Sequence, residues 1–211
     1  MYKKNNTGKG YTEVHVLDGA NNYKNYLIQT ETCLHETNDN WQFCLGDFNK
    51  DGYMDLYCIA KKNTGSHSTE VQILSGKNNF KSFLFQTGTK LHETDGNWKF
   101  CLGDFNGDGY PDLFCICKRN TGSGSTEVHI LGGKNNYKDF IMQTGTRLHE
   151  TGDNWDFGVF DCDLYCIAKS ATGSNSTEIH ILKGEDNFQS FLNKFPFDIF
   201  PIRHSQFTFP I

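Results

Sequence analysis

The stretch Trp98–Cys117 reads WKFCLGDFNGDGYPDLFCIC, and Trp41–Ala60 nearly repeats it as WQFCLGDFNKDGYMDLYCIA. Apolar and aromatic residues fill both ends of each stretch, whereas Gly, Asn and Asp fill the middle. Such runs, bounded by turn-forming residues, predict two β-strands joined by a polar loop. Because the runs FCL and LFCIC are apolar at successive positions, we expect both faces of these strands to be buried.

The chain is an internal repeat. Trp41, Trp98 and Trp155 lie 57 residues apart, and the same interval separates equivalent histidines. Self-similarity at a fixed period predicts that each copy builds the same unit. We divide the single predicted propeller domain into a half unit, two complete units, a degenerate unit that lacks the acidic loop, and a divergent tail: residues 1–40, 41–97, 98–154, 155–192 and 193–211.

Each complete copy contains four strand-like runs, which we name a to d. In the second complete copy they read WKFCLGDF, DLFCICK, TEVHILGG and YKDFIMQTG. Four-stranded units that repeat in this way predict an all-β fold, a β-propeller-like array of four-stranded antiparallel blades with about three and a half repeats. Three modes of closure stay open: a small irregular ring, a homo-oligomer that completes the propeller, or a fragment of a longer repeat protein.

The polar loop between strands a and b has the spacing of a calcium loop. Counting Asp104 as position 1 puts oxygen ligands at positions 1, 3, 5, 7 and 9 and a glycine at position 6, as in the first part of an EF-hand loop. The third copy, GVFDCDL, has lost six residues here. We therefore expect two Ca²⁺ sites, with a metal-free polar turn as the alternative. The predicted ligands are Asp47, Asn49, Asp51, Tyr53 and Asp55, and Asp104, Asn106, Asp108, Tyr110 and Asp112.

Composition narrows the class of partner and compartment. The net charge of −5 argues against nucleic acid as the main partner. No segment approaches the roughly 18 apolar residues of a membrane span, and the N-terminal MYKKNNTGKG has no secretory pattern. The eight cysteines form no CxxC pair, which favours reduced core residues, with a Cys44–Cys58 bridge as the alternative. We expect a cytoplasmic or unconventionally secreted protein, or an extracellular one if the chain is a fragment.

The motif D-x-N-x-D-G-x-x-D between two strands resembles the FG-GAP/VCBS repeat of integrin-type β-propellers. The 57-residue unit with LGDFNGDGYPDL and GSGSTEVHIL is most similar to the repeats of Psathyrella-type fungal lectins. The resemblance covers residues 1 to about 192. It implies a propeller, structural Ca²⁺ in the a–b loops and sugar pockets between blades.

The connection from strand d to the next strand a is the predicted ligand site. In an up-and-down blade it lies at the end opposite the acidic loops, beside the b–c turn. In every copy it carries His, Glu and Trp, which offer hydrogen-bonding groups beside a flat apolar surface. The candidates are His35, Glu36 and Trp41; His92, Glu93 and Trp98; His149, Glu150 and Trp155. As alternatives, each Trp is blade-to-blade core and each His-Glu pair only fixes the connection.

The repetition of these residues argues against an enzyme, because a catalytic site needs one asymmetric constellation. It favours weak sites that add through avidity. We therefore expect a calcium-containing lectin-like protein that binds glycans or glycoproteins at several inter-blade pockets. Two alternatives remain: a protein-interaction or adhesion propeller in which calcium is purely structural, and an accessory fragment of a larger carbohydrate-active enzyme.

Overall fold

The computed structural model describes residues 1–192, and nearly all of its regular structure is β-strand. Fourteen strands in this range form four antiparallel sheets of three or four strands each, which confirms the predicted β-propeller-like array of antiparallel units. The predicted tail, residues 193–211, lies outside the described residues. The described helices are two three-residue 3₁₀ turns, Gly19–Asn21 and Gly184–Asp186, and neither is long and apolar enough to cross a membrane.

The sheets follow one another in chain order. Sheet 1 comprises β1 (Tyr2–Lys3), β2 (Tyr11–Leu17) and β3 (Tyr26–His35). Sheet 2 comprises β4 (Trp41–Gly46), β5 (Asp55–Ala60), β6 (Ser68–Leu74) and β7 (Phe83–His92). Sheet 3 comprises β8 (Trp98–Gly103), β9 (Asp112–Cys117), β10 (Ser125–Leu131) and β11 (Phe140–His149). Sheet 4 comprises β12 (Trp155–Phe160), β13 (Asp163–Ala168) and β14 (Glu178–Leu182).

Two details differ from the strand pattern predicted from sequence. Sheet 1 has a third strand, β1, in which Tyr2 pairs with Val14 as Ile59 pairs with Val71 in sheet 2, so β1 occupies the position of strand b. The d strands are also longer than predicted: β11 continues to His149 through residues assigned to the connection. A register shift between Ser125 and Glu127 keeps β10 and β11 paired over this extra length.

The chain forms two compact units. Among the described residues, unit 1 comprises Met1–Gly96 together with the turn Asn135–Asp139, and unit 2 comprises Asn97–Lys134 and residues 140–192. The apolar core of unit 1 lies between sheets 1 and 2 and includes Val14, Leu34, Phe43, Leu56, Cys58, Leu74 and Phe80. The core of unit 2 lies between sheets 3 and 4 and includes Phe114, Ile116, Val128, Ile130, Leu148, Trp155, Leu164 and Phe188.

The turn between strands c and d carries an aromatic residue in left-handed backbone conformation. At Phe80, Tyr137 and Phe188 the φ angle is 61°, 61° and 63°. All three side chains are buried, and the carbonyl oxygen of each accepts a hydrogen bond from a d strand, at 3.1 Å from Cys33 N, 3.0 Å from Lys90 N and 2.9 Å from Arg147 N. An asparagine, which tolerates positive φ, precedes each of them and makes the turn possible. These turns fasten each unit internally.

All eight cysteines are free. The alternative bridge between Cys44 and Cys58 is not formed, and the strand register explains why. Cys58 lies opposite Phe43, while Cys44 lies opposite Tyr57. Because successive side chains of a strand point to opposite faces, the two thiols face away from each other. Cys58, Cys115 and Cys166 are buried as small core residues on β5, β9 and β13.

Candidate functional site

The two acidic loops gather their oxygen atoms around a tight turn. Asp104 accepts hydrogen bonds from Asp108 N at 3.0 Å and Gly109 N at 2.7 Å, and Asp108 accepts from Tyr110 N at 3.0 Å. The first loop repeats this geometry: Asp47 accepts from Asp51 N and Gly52 N, and Asp51 accepts from Tyr53 N. Asn49 and Asn106 each donate to the neighbouring aspartate, Asp51 and Asp108. In each loop, hydrogen bonds therefore link the predicted ligands at positions 1, 3 and 5 around one turn.

The last aspartate of each loop is buried and fixes the loop to the c–d turn. Asp112 has no exposed surface, and its two oxygens accept from Phe105 N at 3.0 Å and Gly133 N at 2.8 Å. Asp55 is likewise buried and accepts from Phe48 N at 3.0 Å and Gly76 N at 2.8 Å. We call these two pairs of hydrogen bonds the aspartate lock.

The third copy shows that part of the aspartate lock does not depend on the acidic loop. There, a two-residue turn, Asp161 and Cys162 with φ of 47° and 68°, replaces the longer loop. Asp163 nevertheless accepts from Gly184 N at 2.8 Å. The glycine is required by close approach: a Cβ at Gly184 would lie 2.4 Å from the carbonyl oxygen of Cys162. This aspartate–glycine pair is a structural feature that the sequence analysis missed, although D-L-(F/Y)-C is retained in all three copies.

The acidic loop places negatively charged carboxylates close to one another. Burial raises the pKa of Asp112, the bonds from Gly133 N and Phe105 N lower it, and the carboxylates of Asp108 and Asp104 raise it further. Such like-charge repulsion is what a hard cation relieves, and carboxylate, amide and carbonyl oxygens are the ligands that Ca²⁺ prefers. In residues 1–192, however, no three His, Cys, Asp or Glu side chains already converge as a metal cluster. The donor types fit Ca²⁺, and the carboxylates would have to draw together to bind it.

The glutamates of the predicted ligand site hold the d–a connection in place. Glu150 Oε1 accepts from Thr121 N at 2.8 Å and from Thr121 Oγ1 at 3.0 Å. Glu36 and Glu93 make the same pair of bonds to Thr7 and Thr64. These bonds join the connection to the b–c turn of the same sheet. They agree with the alternative in which each glutamate fixes the connection.

The histidine and tryptophan of the first and third sets lie edge to face. The ring centroids of His35 and Trp41 are 5.5 Å apart in unit 1, and those of His149 and Trp155 are 5.8 Å apart in unit 2. Trp155 is 8% exposed and packs in the apolar core, whereas His149 is exposed. Most of the surface of Trp155 therefore lies in the core, as the alternative interpretation predicts.

The second set is divided between the two units. His92 and Glu93 belong to unit 1, and Trp98 belongs to unit 2. Trp98 is 9% exposed, and its ring centroid lies 5.3 Å from that of His129 on β10. Trp98 is thus a core residue of its own sheet.

A pocket of about 520 Å³ in unit 2 contains all three residues of the third set. His149, Glu150 and Trp155 share its lining with Glu178 and His180, which the sequence analysis missed. His180 Nε2 lies 3.3 Å from Glu178 Oε2, and the His180 ring centroid lies 5.5 Å from that of Trp155. The sequence contains a pattern that could have identified this pair. E-x-H on strand c puts both side chains on one face, and the pattern recurs at Glu13–His15 and Glu127–His129.

The bonds to Glu150 predict how acid affects stability. The hydrogen bonds from Thr121 hold the pKa of Glu150 below its usual value of 4.5. A carboxylate with a lowered pKa stabilises the fold above its unfolded pKa, and this contribution is lost as the pH falls through the folded pKa. We expect Glu150→Gln to flatten the decline in unfolding free energy below pH 4.5, measured by urea denaturation across a pH series. The control, Glu185→Gln, changes an exposed carboxylate, and an equal flattening in both variants would contradict the assignment.

Part of the repeat matches a known protein family. Residues 47–115, from the first acidic loop into β9, match the FG-GAP-like repeat. No curated protein matches the chain. The family match and the four antiparallel sheets together support the predicted relation to FG-GAP repeats and a β-propeller-like fold of the kind used for protein interaction.

Proposed function

We propose that this protein is a non-catalytic, lectin-like protein that binds glycans through pockets beside the d–a connections and holds calcium in its two acidic loops. The pocket of unit 2 carries the proposal. Its volume of about 520 Å³ falls in the range of small-ligand sites. Its lining combines Glu150 and Glu178, His149 and His180, and Trp155.

This combination suits a sugar. Carboxylate oxygens accept hydrogen bonds from hydroxyl groups, and imidazole nitrogens donate or accept them. A sugar ring also presents C–H groups, which pack against apolar surface, and Trp155 and Phe191 line this pocket. Thr121 fixes the Glu150 carboxylate before a ligand arrives, so that less conformational freedom is lost on binding.

Repetition adds a reason to favour binding over catalysis. His35, Glu36 and Trp41 form a second set of the same composition in unit 1. Two weak sites on one chain gain apparent affinity for a surface that displays many copies of one glycan. Glycoproteins or polysaccharides are therefore the proposed partners.

The proposed calcium sites have a structural task. Asp47, Asn49 and Asp51 in the first loop, and Asp104, Asn106 and Asp108 in the second, would bind the ion through side-chain oxygens. Tyr53 and Tyr110 would each offer a backbone carbonyl. Asp55 and Asp112, whose carboxylates accept the hydrogen bonds of the aspartate lock, would be the remaining ligands. The bidentate glutamate at position 12 of an EF-hand is here Cys58 or Cys115, so we expect weaker binding than in a sensor EF-hand.

One observation favours a second function, a protein-interaction or adhesion scaffold in which calcium only stiffens the sheets. Glu150 is engaged with Thr121 and Trp155 is 8% exposed, so both have structural roles. Binding to a panel of immobilised glycans separates the two functions. The lectin proposal requires specific binding, whereas the scaffold alternative predicts none.

Removing one ring from the pocket tests the glycan site. We expect His149→Ala to weaken the binding of a glycan identified on such a panel at least tenfold, measured by isothermal titration calorimetry, because the ring offers both a hydrogen bond and a wall of the pocket. His67→Ala changes another exposed histidine, one that does not line this pocket, and should leave the affinity unchanged. Equal affinity of wild type and His149→Ala would disprove the site assignment.

Calcium titration tests the metal proposal separately. We expect wild type to bind two Ca²⁺ per chain and Asp104→Ala to bind one, with a smaller rise in melting temperature at saturating Ca²⁺. The matched control is Asp161→Ala, which changes an aspartate in the short turn of the third copy and should still bind two. A flat calorimetric titration of wild type would refute the metal sites.

A further inference from the structure

The aromatic turn between strands c and d occurs four times in residues 1–192, and in one of the four the aromatic side chain is exposed. Tyr23 has the same left-handed backbone as the other three, with φ of 59°, and it too follows an asparagine with positive φ. Its side chain, however, is 68% exposed. The equivalent Phe80 is 4% exposed, and Tyr137 and Phe188 are fully buried. Tyr23 therefore has the backbone of an insertion residue but is not covered by the described residues 1–192.

The buried turns show what such a residue packs against. Tyr137 lies on Tyr57 of β5, with ring centroids 6.5 Å apart and hydroxyl oxygens 3.4 Å apart. Phe188 lies on Phe114 of β9, with ring centroids 6.4 Å apart. In both cases the receiving residue is the third residue of a b strand. A tyrosine is received by a tyrosine, and a phenylalanine by a phenylalanine.

Sheet 4 presents the matching receiving face. The third residue of β13 is Tyr165, which is partly exposed, as is Ile167 on the same face. Ile179, which pairs with Ile167, is 61% exposed. The residues at the equivalent position of Ile179 in sheets 2 and 3 are Val71 and Val128, and both are fully buried. This face is apolar and, in the described part of the chain, only partly covered.

We propose that Tyr23 of one copy of this chain inserts against Tyr165 of a second copy, in a head-to-tail contact that repeats the Tyr137–Tyr57 pair. The second copy is the occupant because the chain carries both halves of the contact and because, within residues 1–192, Tyr23 is 68% exposed and Tyr165 is partly exposed. The residue types also agree, since the exposed insertion residue and the partly exposed receiving residue are both tyrosines. Apolar Ile167 and Ile179 beside Tyr165 favour an aromatic side chain over a charged partner.

Such a contact is heterologous, because each copy contributes a different surface. This makes a mixing experiment decisive. A Tyr23→Asp chain keeps a working receiving face, and a Tyr165→Asp chain keeps a working insertion turn. We expect wild type to associate with rising concentration in sedimentation velocity. Each variant alone should be monomeric over the same range, and an equimolar mixture of the two should form dimers and nothing larger.

The controls separate association from folding. Tyr23→Asp and Tyr165→Asp should keep the wild-type circular dichroism spectrum, and Tyr23→Phe, which retains the ring, should still associate. Tyr11→Asp alters an exposed tyrosine at the end of β2 opposite to the Tyr23 turn, and this variant should associate like wild type. A wild-type chain that stays monomeric at all concentrations would overturn the proposal, including the case in which residues of the same chain cover the face. Persistent self-association of either aspartate variant would overturn it as well.

Discussion

Phe188→Ala is expected to lower the free energy of unfolding by about 3–5 kcal/mol, the usual loss for a large aromatic side chain removed from a core. Phe188 is fully buried, and its ring lies 6.4 Å from Phe114 and 6.1 Å from Phe105, centroid to centroid. Truncation would leave a cavity between sheets 3 and 4, where the apolar core of unit 2 lies. Urea denaturation followed by tryptophan fluorescence measures the loss.

The chain supplies its own control for this substitution. Tyr23 occupies the same place in the turn, with φ of 59° compared with 63°, but it is exposed. In dilute protein, where copies do not associate, Tyr23→Ala should change the unfolding free energy by less than about 0.5 kcal/mol. Similar losses in both variants would mean that the side chain acts through the turn conformation, and would contradict the account based on burial.

Asp112→Ala is expected to lower the unfolding free energy by about 2–4 kcal/mol in the presence of a calcium chelator. The change leaves Phe105 N and Gly133 N without their acceptor in a buried place, and an unsatisfied buried donor costs about 1–3 kcal/mol. Burial also raises the pKa of Asp112, so ionisation of this carboxyl opposes folding as the pH rises through its folded pKa. The hydrogen bonds from Gly133 N and Phe105 N offset part of that cost.

Two related substitutions separate the aspartate lock from the proposed metal. Asp163→Ala removes one such bond, to Gly184 N, in the copy without an acidic loop, so we expect a smaller loss that is the same with and without Ca²⁺. Asp108→Ala removes a partly exposed loop carboxylate and should matter mainly when Ca²⁺ is present. If Asp112→Ala were harmless in chelator and damaging only in Ca²⁺, its role would be metal binding and the lock would be wrong.

Much of the fold was predictable because the repeat is strong. Strands β4, β8 and β12 begin at Trp41, Trp98 and Trp155, as the 57-residue interval requires. The strand β1 was not predictable, because two residues are too few to show an alternating pattern. The full length of β11 was missed for another reason: the register shift beside Ser125 depends on the partner strand, which a local pattern does not contain.

The candidate site was predictable in its members and less so in their roles. The sequence places Asp112 in the acidic loop, but its bond to Gly133, 21 residues away, exists only once the sheet has formed. The position of Trp155 in the repeat is compatible with a sugar-binding surface and with a place in the core. Trp155 is 8% exposed, so most of its surface lies in the core. Glu178 and His180 were missed because they belong to strand c, far along the chain from the d–a connection.

A glycan that binds in the pocket beside Trp155 changes the surroundings of that side chain, and the indole N–H resonances of the three tryptophans report such a change. We propose a two-dimensional NMR titration of the wild-type protein with a glycan selected on a panel. If the glycan binds there, the Trp155 indole resonance should shift progressively to saturation, and this shift should disappear in His149→Ala. Saturating glycan that leaves the Trp155 resonance unmoved, or a panel on which no glycan binds, would contradict the account.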